Sequence, residues 1–223
     1  NENYCRYYGK THDELIGKSF IQLAQGDQSQ KLPKYLASFS REGPVATFEQ
    51  QDVMPDGKMR WRQWSDRAIF DQEGNILEFQ SVGSDISERK RAEKVQDAIY
   101  KISQAAVSTE RLDDLYHSIH SILGELIPAE NFFIALYDPV NDLLSFPYFV
   151  DQYDQPPLPE KAGHGLTAYV LRTGHSLLAP PEVFNQLVGQ GEVELVGTNS
   201  VDWLGVPLNI EEKIIGVMVT QSY

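Results

Sequence analysis

Cysteine is nearly absent from this sequence, and its scarcity excludes several kinds of site. The 223 residues include a single cysteine, Cys5, so neither an intrachain disulfide nor a four-cysteine zinc site can form. Few cysteines are typical of a reducing compartment, and we therefore predict a cytoplasmic location. We predict no catalytic residue and no metal site, because the sequence contains no local signature of either.

Long apolar runs and a basic surface are missing as well. No stretch approaches the roughly 18 consecutive apolar residues of a membrane span, so we expect no direct membrane contact here. The first residues, Asn1 to Tyr4, lack the basic start and apolar run of a signal peptide. Any membrane segment of the parent protein would lie outside these residues. The formal charge of −13 argues against nucleic acid or an anionic membrane as a partner.

Length and composition indicate two small globular domains of about 100 residues each.

Residues 3–20 predict helix, with a restart at which Thr11 and Glu14 can form a capping box and Leu15, Ile16 and Phe20 supply apolar anchors. Residues 33–41 predict another short helix.

Two successive hairpins follow. Alternating β-rich residues at 45–50 and 59–64 flank Asp56-Gly57, which is a strong hairpin signal. A second turn at 71–75 leads into a further alternating run at 76–82. The sequence therefore predicts a meander of three antiparallel strands.

Beyond the meander the hydrophobic period changes to that of a coiled coil. Steps of 3, 4, 3 and 4 residues separate five apolar positions, which are Ala92, Val95, Ile99, Ile102 and Ala106. A second series has the same spacing in another frame: Leu112, Leu115, Ile119, Ile122 and Leu126. We therefore predict a break or rotation of the helix near residues 108–110. We expect the first series to pair with a second copy, giving a homodimer, and the second series to pack on the sheet that follows.

The remaining residues predict a second sheet. Buried-strand patterns occupy residues 132–137, 143–146, 203–208 and 214–219, and residues 155–159 are a proline-rich loop. A helix is predicted from Leu166 to Gly174, where the glycine ends it. His117 and His120 share a helix face, and we interpret both as solvated side chains.

The first half resembles a PAS domain. The resemblance rests on residues 3–9 and 13–18, on the turns at 56–57 and 71–75, and on an exit sequence, Asp-Ile-Ser-Glu-Arg-Lys, at 85–90. The match is specific, because two hairpins are followed at a fixed spacing by this exit sequence, which starts a helix. The exit residues that we single out are Asp85, Ile86 and Arg89.

The second half resembles a GAF domain of bacterial sensors, through Gly-His-Gly-Leu-Thr at 163–167, the run at 203–208 and Ile-Gly-Val-Met at 215–218. The implied fold is α+β: a PAS-like antiparallel sheet with flanking helices, a long connecting helix, then a GAF-like antiparallel sheet with flanking helices. We predict a truncated PAS domain at 1–87, a helical, coiled-coil linker at 88–110 and a truncated GAF domain at 111–223. Both domains are expected to lack terminal elements of their families, which would leave open strand edges.

The resemblance implies the sensory input module of a bacterial signal-transduction protein, of the histidine kinase or diguanylate cyclase type. Such a module would bind a small ligand or partner and relay its state through a dimeric helix to an output domain elsewhere. Kinase and cyclase signatures, such as His-Glu-Leu-Arg or Gly-Gly-Asp-Glu-Phe, do not occur in this sequence. The alternative is a structural dimerisation and spacer module without a ligand.

The ligand itself stays unknown at this point, although some cofactors are excluded. A GAF half without cysteine cannot hold a covalent bilin. A flavin of the LOV type needs a cysteine where residues 17–22 have none, and residues 31–41 offer no axial histidine for haem, so we expect neither cofactor. By family analogy, the candidate ligand contacts are His164, Tyr169, His175 and Trp203.

Overall fold

The computed structural model describes residues 2–18 and 28–223, which fall into two compact units, Asn1–Glu93 and Lys94–Tyr223. The predicted anchor Phe20 lies outside the described residues, as do the last four residues of the flavin comparison at 17–22. Both units combine helices with antiparallel sheets, so the predicted α+β class is confirmed. No helix in the described part of the chain is long and apolar enough to cross a membrane.

The first unit begins with helices and ends with a meander. Its elements in chain order are α1 (Glu2–Tyr8), α2 (His12–Leu15), α3 (Gln28–Leu36), β1 (Val45–Val53), β2 (Met59–Phe70) and β3 (Ile76–Asp85). The restart predicted within the helical segment 3–20 is confirmed: α1 ends before Gly9, whose φ is 61°, and α2 begins after Thr11. The predicted capping box is confirmed, because the Thr11 N–H donates to Glu14 Oε2 at 2.8 Å. Helix α3 starts and ends five residues earlier than predicted.

The predicted three-stranded meander is confirmed, with the order β1-β2-β3. In the first hairpin Val53 pairs with Met59, and the turn between them contains Gly57 at a φ of 76°. In the second, the Asp71 carboxylate accepts hydrogen bonds from the N–H groups of Glu73 and Asn75. Both turns form from residues within a few positions of each other, which explains why their sequences indicated them.

The second unit contains a six-stranded antiparallel sheet in the order β6-β5-β4-β9-β8-β7. Its elements, which include the helix that crosses the unit boundary, are α4 (Ser87–Ser108), α5 (Leu112–Gly124), β4 (Asn131–Asp138), β5 (Leu143–Val150), β6 (Glu160–Lys161), α6 (Leu166–Thr173), β7 (Leu177–Ala179), α7 (Pro181–Gly189), β8 (Asp202–Ile210) and β9 (Lys213–Ser222). Gly174 ends α6 as predicted: its φ is 71° and its N–H donates to the carbonyl of Val170.

The helical break is confirmed, because α4 ends at Ser108 and α5 begins at Leu112. Lys101 Nζ lies 3.0 Å from Glu125 Oε2. A straight helix would hold residues 24 positions apart at about 36 Å. The chain therefore turns back between the two helices.

The two faces of β4 belong to two different cores. Phe132 and Ile134 face α5, whereas Phe133 and Ala135 face the side of α6. Ile119, from the second apolar series, packs against the core that contains Phe132 and Ile134. The other residues of α5 in this core are Tyr116 and Leu123, which do not belong to that series. Leu112 is 64% exposed. The packed face is shifted because the polar side chain of His120 also takes part in it, which a hydrophobic pattern does not register.

Candidate functional site

The exit from the first unit fixes the start of helix α4 against strand β2. The N–H of the buried Ile86 donates to the Trp61 carbonyl at 2.9 Å, and the Trp61 N–H donates to Ser87 Oγ at 3.0 Å. Asp85 Oδ1 accepts a hydrogen bond from the Ser87 N–H at 2.9 Å, in the manner of a helix cap. Hydrogen bonds from the side chain and backbone of Ser87 lower the pKa of Asp85.

Glu49 on β1 clamps the first turn of the same helix. Its two carboxylate oxygens each lie 2.7 Å from a cation, one from Arg89 Nη2 and the other from Lys90 Nζ. The hydrogen bond from Lys90, followed by that from Arg89, lowers the pKa of Glu49 to about 2. Lys90 Nζ also lies 5.3 Å from the centre of the Trp61 ring. The exit residues Asp85, Ile86 and Arg89 thus join helix to sheet, while their role in signalling stays a prediction.

The clamp should make stability depend on pH in the acid range. An unfolded glutamate titrates near pH 4.3, so a folded pKa of about 2 stabilises the fold above that pH, and the stabilisation is lost as the pH falls towards 2. We expect Glu49→Gln to remove this part of the pH dependence in urea unfolding followed by tryptophan fluorescence. Glu42→Gln, at an exposed glutamate, is the control. If the unfolding free energy of the wild type and of Glu49→Gln changed equally with pH in the acid range, the clamp would be contradicted.

Helix α4 presents an apolar stripe to solvent. Val95 is 48% and Ile99 is 60% exposed, Ala92 and Ala106 are exposed as well, and Ile102 is partly buried. Ala98, on a neighbouring face, is buried instead. The predicted coiled-coil positions are therefore mostly uncovered in the single chain.

A partly buried hydrogen-bond network anchors α5 to the sheet. His120 Nε2 lies 2.6 Å from the Ala129 carbonyl, to which it must donate, so Nδ1 is left to accept from the Tyr148 hydroxyl at 2.8 Å. The imidazole ring also stacks on Phe132 at 4.7 Å. The interpretation of His120 as a solvated residue is therefore wrong. Among the described residues, no group of three or more His, Cys, Asp and Glu side chains could hold a metal.

Tyr148→Phe tests this anchor. The substitution keeps the ring of the buried Tyr148 but leaves His120 Nδ1 without its donor, at a cost of roughly 1–3 kcal/mol in unfolding free energy. Thermal or urea unfolding of the second unit measures it. Tyr153→Phe, at an exposed tyrosine, should change stability little, and a similar loss in both variants would refute the anchoring role.

A cavity of about 460 Å³ opens on the other face of the sheet. Its floor is aromatic: Phe133, Phe146 and Phe149 contact one another at centroid distances of 5.4 to 6.2 Å, and Trp203, 5% exposed, adjoins them. The start of α6 and three loops supply the walls. The wall residues are Asp154, Gln155, Pro157, Glu160 to Ala168 and Glu194 to Ser200.

Two of the four predicted ligand contacts line this cavity and two do not. His164 is part of its wall, and Trp203 is part of its floor. Tyr169 lies outside the lining, with the Arg172 guanidinium 5.3 Å from its ring centre, and His175 is exposed beyond the end of α6. Only the first turn of α6 lines the cavity, because successive residues of a helix point in different directions.

The wall at residues 194–200 was not predicted, because it carries no motif. Contacts remote in sequence hold it in place. The Glu194 N–H donates to the His164 carbonyl at 2.8 Å, and Asp154 accepts from the Thr198 N–H at 3.0 Å and from the Thr198 hydroxyl at 2.9 Å.

The first unit also holds buried polar atoms on one face of β2. Arg62 Nε, Trp64 Nε1 and Asp66 Oδ1 have no hydrogen-bond partner in the described structure. The other oxygen of Asp66 accepts from the Tyr35 hydroxyl at 2.9 Å, and burial, followed by this bond, raises the pKa of Tyr35. Buried polar atoms in folded proteins normally have a hydrogen-bond partner.

Comparison with known proteins agrees with this architecture. Residues 1–91 match the family model of the PAS fold. Over 126 residues the chain is 24% identical to the two-component sensor PprA of Pseudomonas aeruginosa. The matched region is 56% of this chain and 13% of that sensor.

Solved GAF domains are similar to the chain in fold. That of the phosphoenolpyruvate-protein phosphotransferase of Coxiella burnetii is 18% identical, with 59% of this chain and 79% of that chain covered and a TM-score of 0.48. Free methionine-R-sulfoxide reductase of Neisseria meningitidis, in complex with its substrate, is 17% identical, with 60% and 75% covered and a TM-score of 0.46. The family match over residues 1–91 agrees with the predicted PAS resemblance of the first half, and the GAF resemblance of the second half stays a prediction.

Proposed function

We propose that the chain is a sensory input module that binds a small ligand and relays its state through helix α4 to an output domain elsewhere in its parent protein. The observation that carries the proposal is the clamp of Glu49 on Arg89 and Lys90. It ties the sheet of the first unit to the helix that bears the exposed stripe of Val95 and Ile99. A movement of β1 or β2 would therefore be passed directly to that helix.

The second unit offers a ligand site with its own route to a helix. The cavity touches one face of β4 through Phe133, while the opposite face holds α5 through Phe132 and its stack with His120. A ligand that moves β4 would therefore also move the surface on which α5 packs. Two-state arrangements of packed elements are the usual means by which such small shifts are relayed.

The occupant that we propose for the α4 stripe is a second copy of the same helix. Its apolar positions keep the 3-4 spacing that pairs helices in register, and charged residues flank them. Lys101, for example, lies between Asp97 and Glu125, at 3.0 Å from each. The module would then act as a homodimer.

A non-catalytic role and a cytoplasmic location belong to the same proposal. The family match and the relative PprA support signalling, and a two-component histidine kinase is the output that we propose for the parent protein. The chain spans 13% of that relative's length.

Native mass spectrometry of the purified chain tests the proposal. We expect a dimer that carries, or can be loaded with, a small molecule. A dimer that binds nothing from a chemically varied fragment set would favour the spacer module instead. A monomer at all concentrations would refute the dimeric relay.

A further inference from the structure

The cavity of the second unit combines aromatic rings with unpaired carboxylates. Five aromatic side chains line it, which are Phe133, Phe146, Phe149, Phe184 and Trp203. The faces of such rings carry negative partial charge and attract cations, most strongly where water is excluded. Neutral apolar ligands would also suit the floor, so the charge of the wall decides between the two classes.

The wall is predominantly acidic. It includes Asp154, Glu160 and Glu194 against one lysine, Lys161. Asp154 is engaged by Thr198, whereas neither Glu160 nor Glu194 forms an ion pair within the described part of the chain. Two carboxylates at the mouth of an aromatic floor are thus available to a ligand. The charge of −13 on the whole chain adds an attractive field for a cation.

We infer that this cavity binds a small organic cation of the alkylammonium class, with the cationic head over the rings and within reach of Glu160 and Glu194. The inference rests on the proposed function of the cavity as the ligand site. The first turn of α6 also reaches the wall, and its N–H groups favour negative charge. An anion is therefore the competing outcome that the test must include.

Three probes of nearly equal shape separate the classes. Choline is the cation, 3,3-dimethylbutan-1-ol is its neutral counterpart, and 3,3-dimethylbutanoate is the anion. Dissociation constants come from NMR titrations of the intact chain. We expect choline to bind roughly tenfold or more tightly than the alcohol, because the charge alone differs at the head group.

Variants assign the effect to the cavity. Glu194→Gln should weaken choline binding roughly two- to fivefold and leave the alcohol unchanged, since the charge is lost without a change of shape. Phe184→Leu should weaken choline more than the alcohol. The matched control is Glu182→Gln on the same helix as Phe184, because Glu182 lies outside the lining and should alter neither affinity.

The outcomes separate the cation inference from the proposed ligand site. Equal binding of choline and the alcohol, or tighter binding of the anion, overturns the cation while the ligand site stands. If none of the three probes binds but native mass spectrometry finds another ligand in the cavity, the cation again falls alone. If no molecule binds by either method, the cation inference and the proposed ligand site fall together.

Discussion

Ile99→Glu is expected to convert a dimer of this chain into a monomer. Ile99 occupies the middle of the apolar series and is 60% exposed, so the single chain tolerates the change. In a paired helix the two copies would bring two carboxylates into an apolar seam without partners. We expect the dissociation constant of the dimer to rise about 100-fold or more, as measured by sedimentation equilibrium.

Val107→Glu is the matched control for this experiment. Val107 is an apolar residue of the same helix, 90% exposed, at a heptad position that points away from the seam. The same added charge there should leave the association nearly unchanged. Equal weakening by both substitutions would assign the effect to net charge, and an undisturbed dimer with Ile99→Glu would refute pairing through this stripe.

The features that the sequence predicted well depend on residues close together in the chain. The capping box of Thr11 and Glu14, the turn at Gly57 and the end of α6 at Gly174 each form within a few positions. The break between α4 and α5 also followed from a local change of frame. Backbone preference and periodicity determine such features before any tertiary contact forms.

The parts of the candidate site that escaped prediction depend on remote contacts. His120 meets Tyr148 across 28 positions, and Asp154 holds Thr198 across 44. Whether Tyr169 faced the cavity depended on the rotation of α6 against the sheet, which family analogy did not specify. Histidines and loop residues of this kind carry no periodic signal, so only the fold brings them together.

The contact between helix α4 and the sheet also depends partly on nearby residues and partly on remote ones. The exit motif predicted where α4 begins, but the partner of Arg89 lies 40 residues earlier, at Glu49. A pairing across two strands needs the register of β1 and β2, in which Glu49 stands opposite Gln63. The contact between Glu49 and Arg89 is therefore a property of the folded sheet rather than of the motif alone.

Gly205→Ala is expected to destabilise the second unit and to disturb the floor of its cavity. A Cβ atom at residue 205 would lie 2.2 Å from Cη2 of Trp203, two residues earlier on β8, and 2.5 Å from Cζ3. Trp203 is 5% exposed, so its ring cannot move aside without displacing neighbours in the core. We expect a loss of about 3 kcal/mol in unfolding free energy, measured by urea denaturation.

Two further variants assign this loss to the ring. Gly124→Ala, at a helical glycine with no atom near the added Cβ, should be neutral or stabilise by up to about 1 kcal/mol. In a Trp203→Leu background the six-membered ring is gone, so the added methyl group at 205 should cost little, and the two changes should be strongly non-additive. The same cost in both backgrounds would mean that the backbone of β8, and not the Trp203 ring, requires glycine. A loss confined to the wild-type background would identify Gly205 as the residue that lets an indole lie along the strand and form the cavity floor.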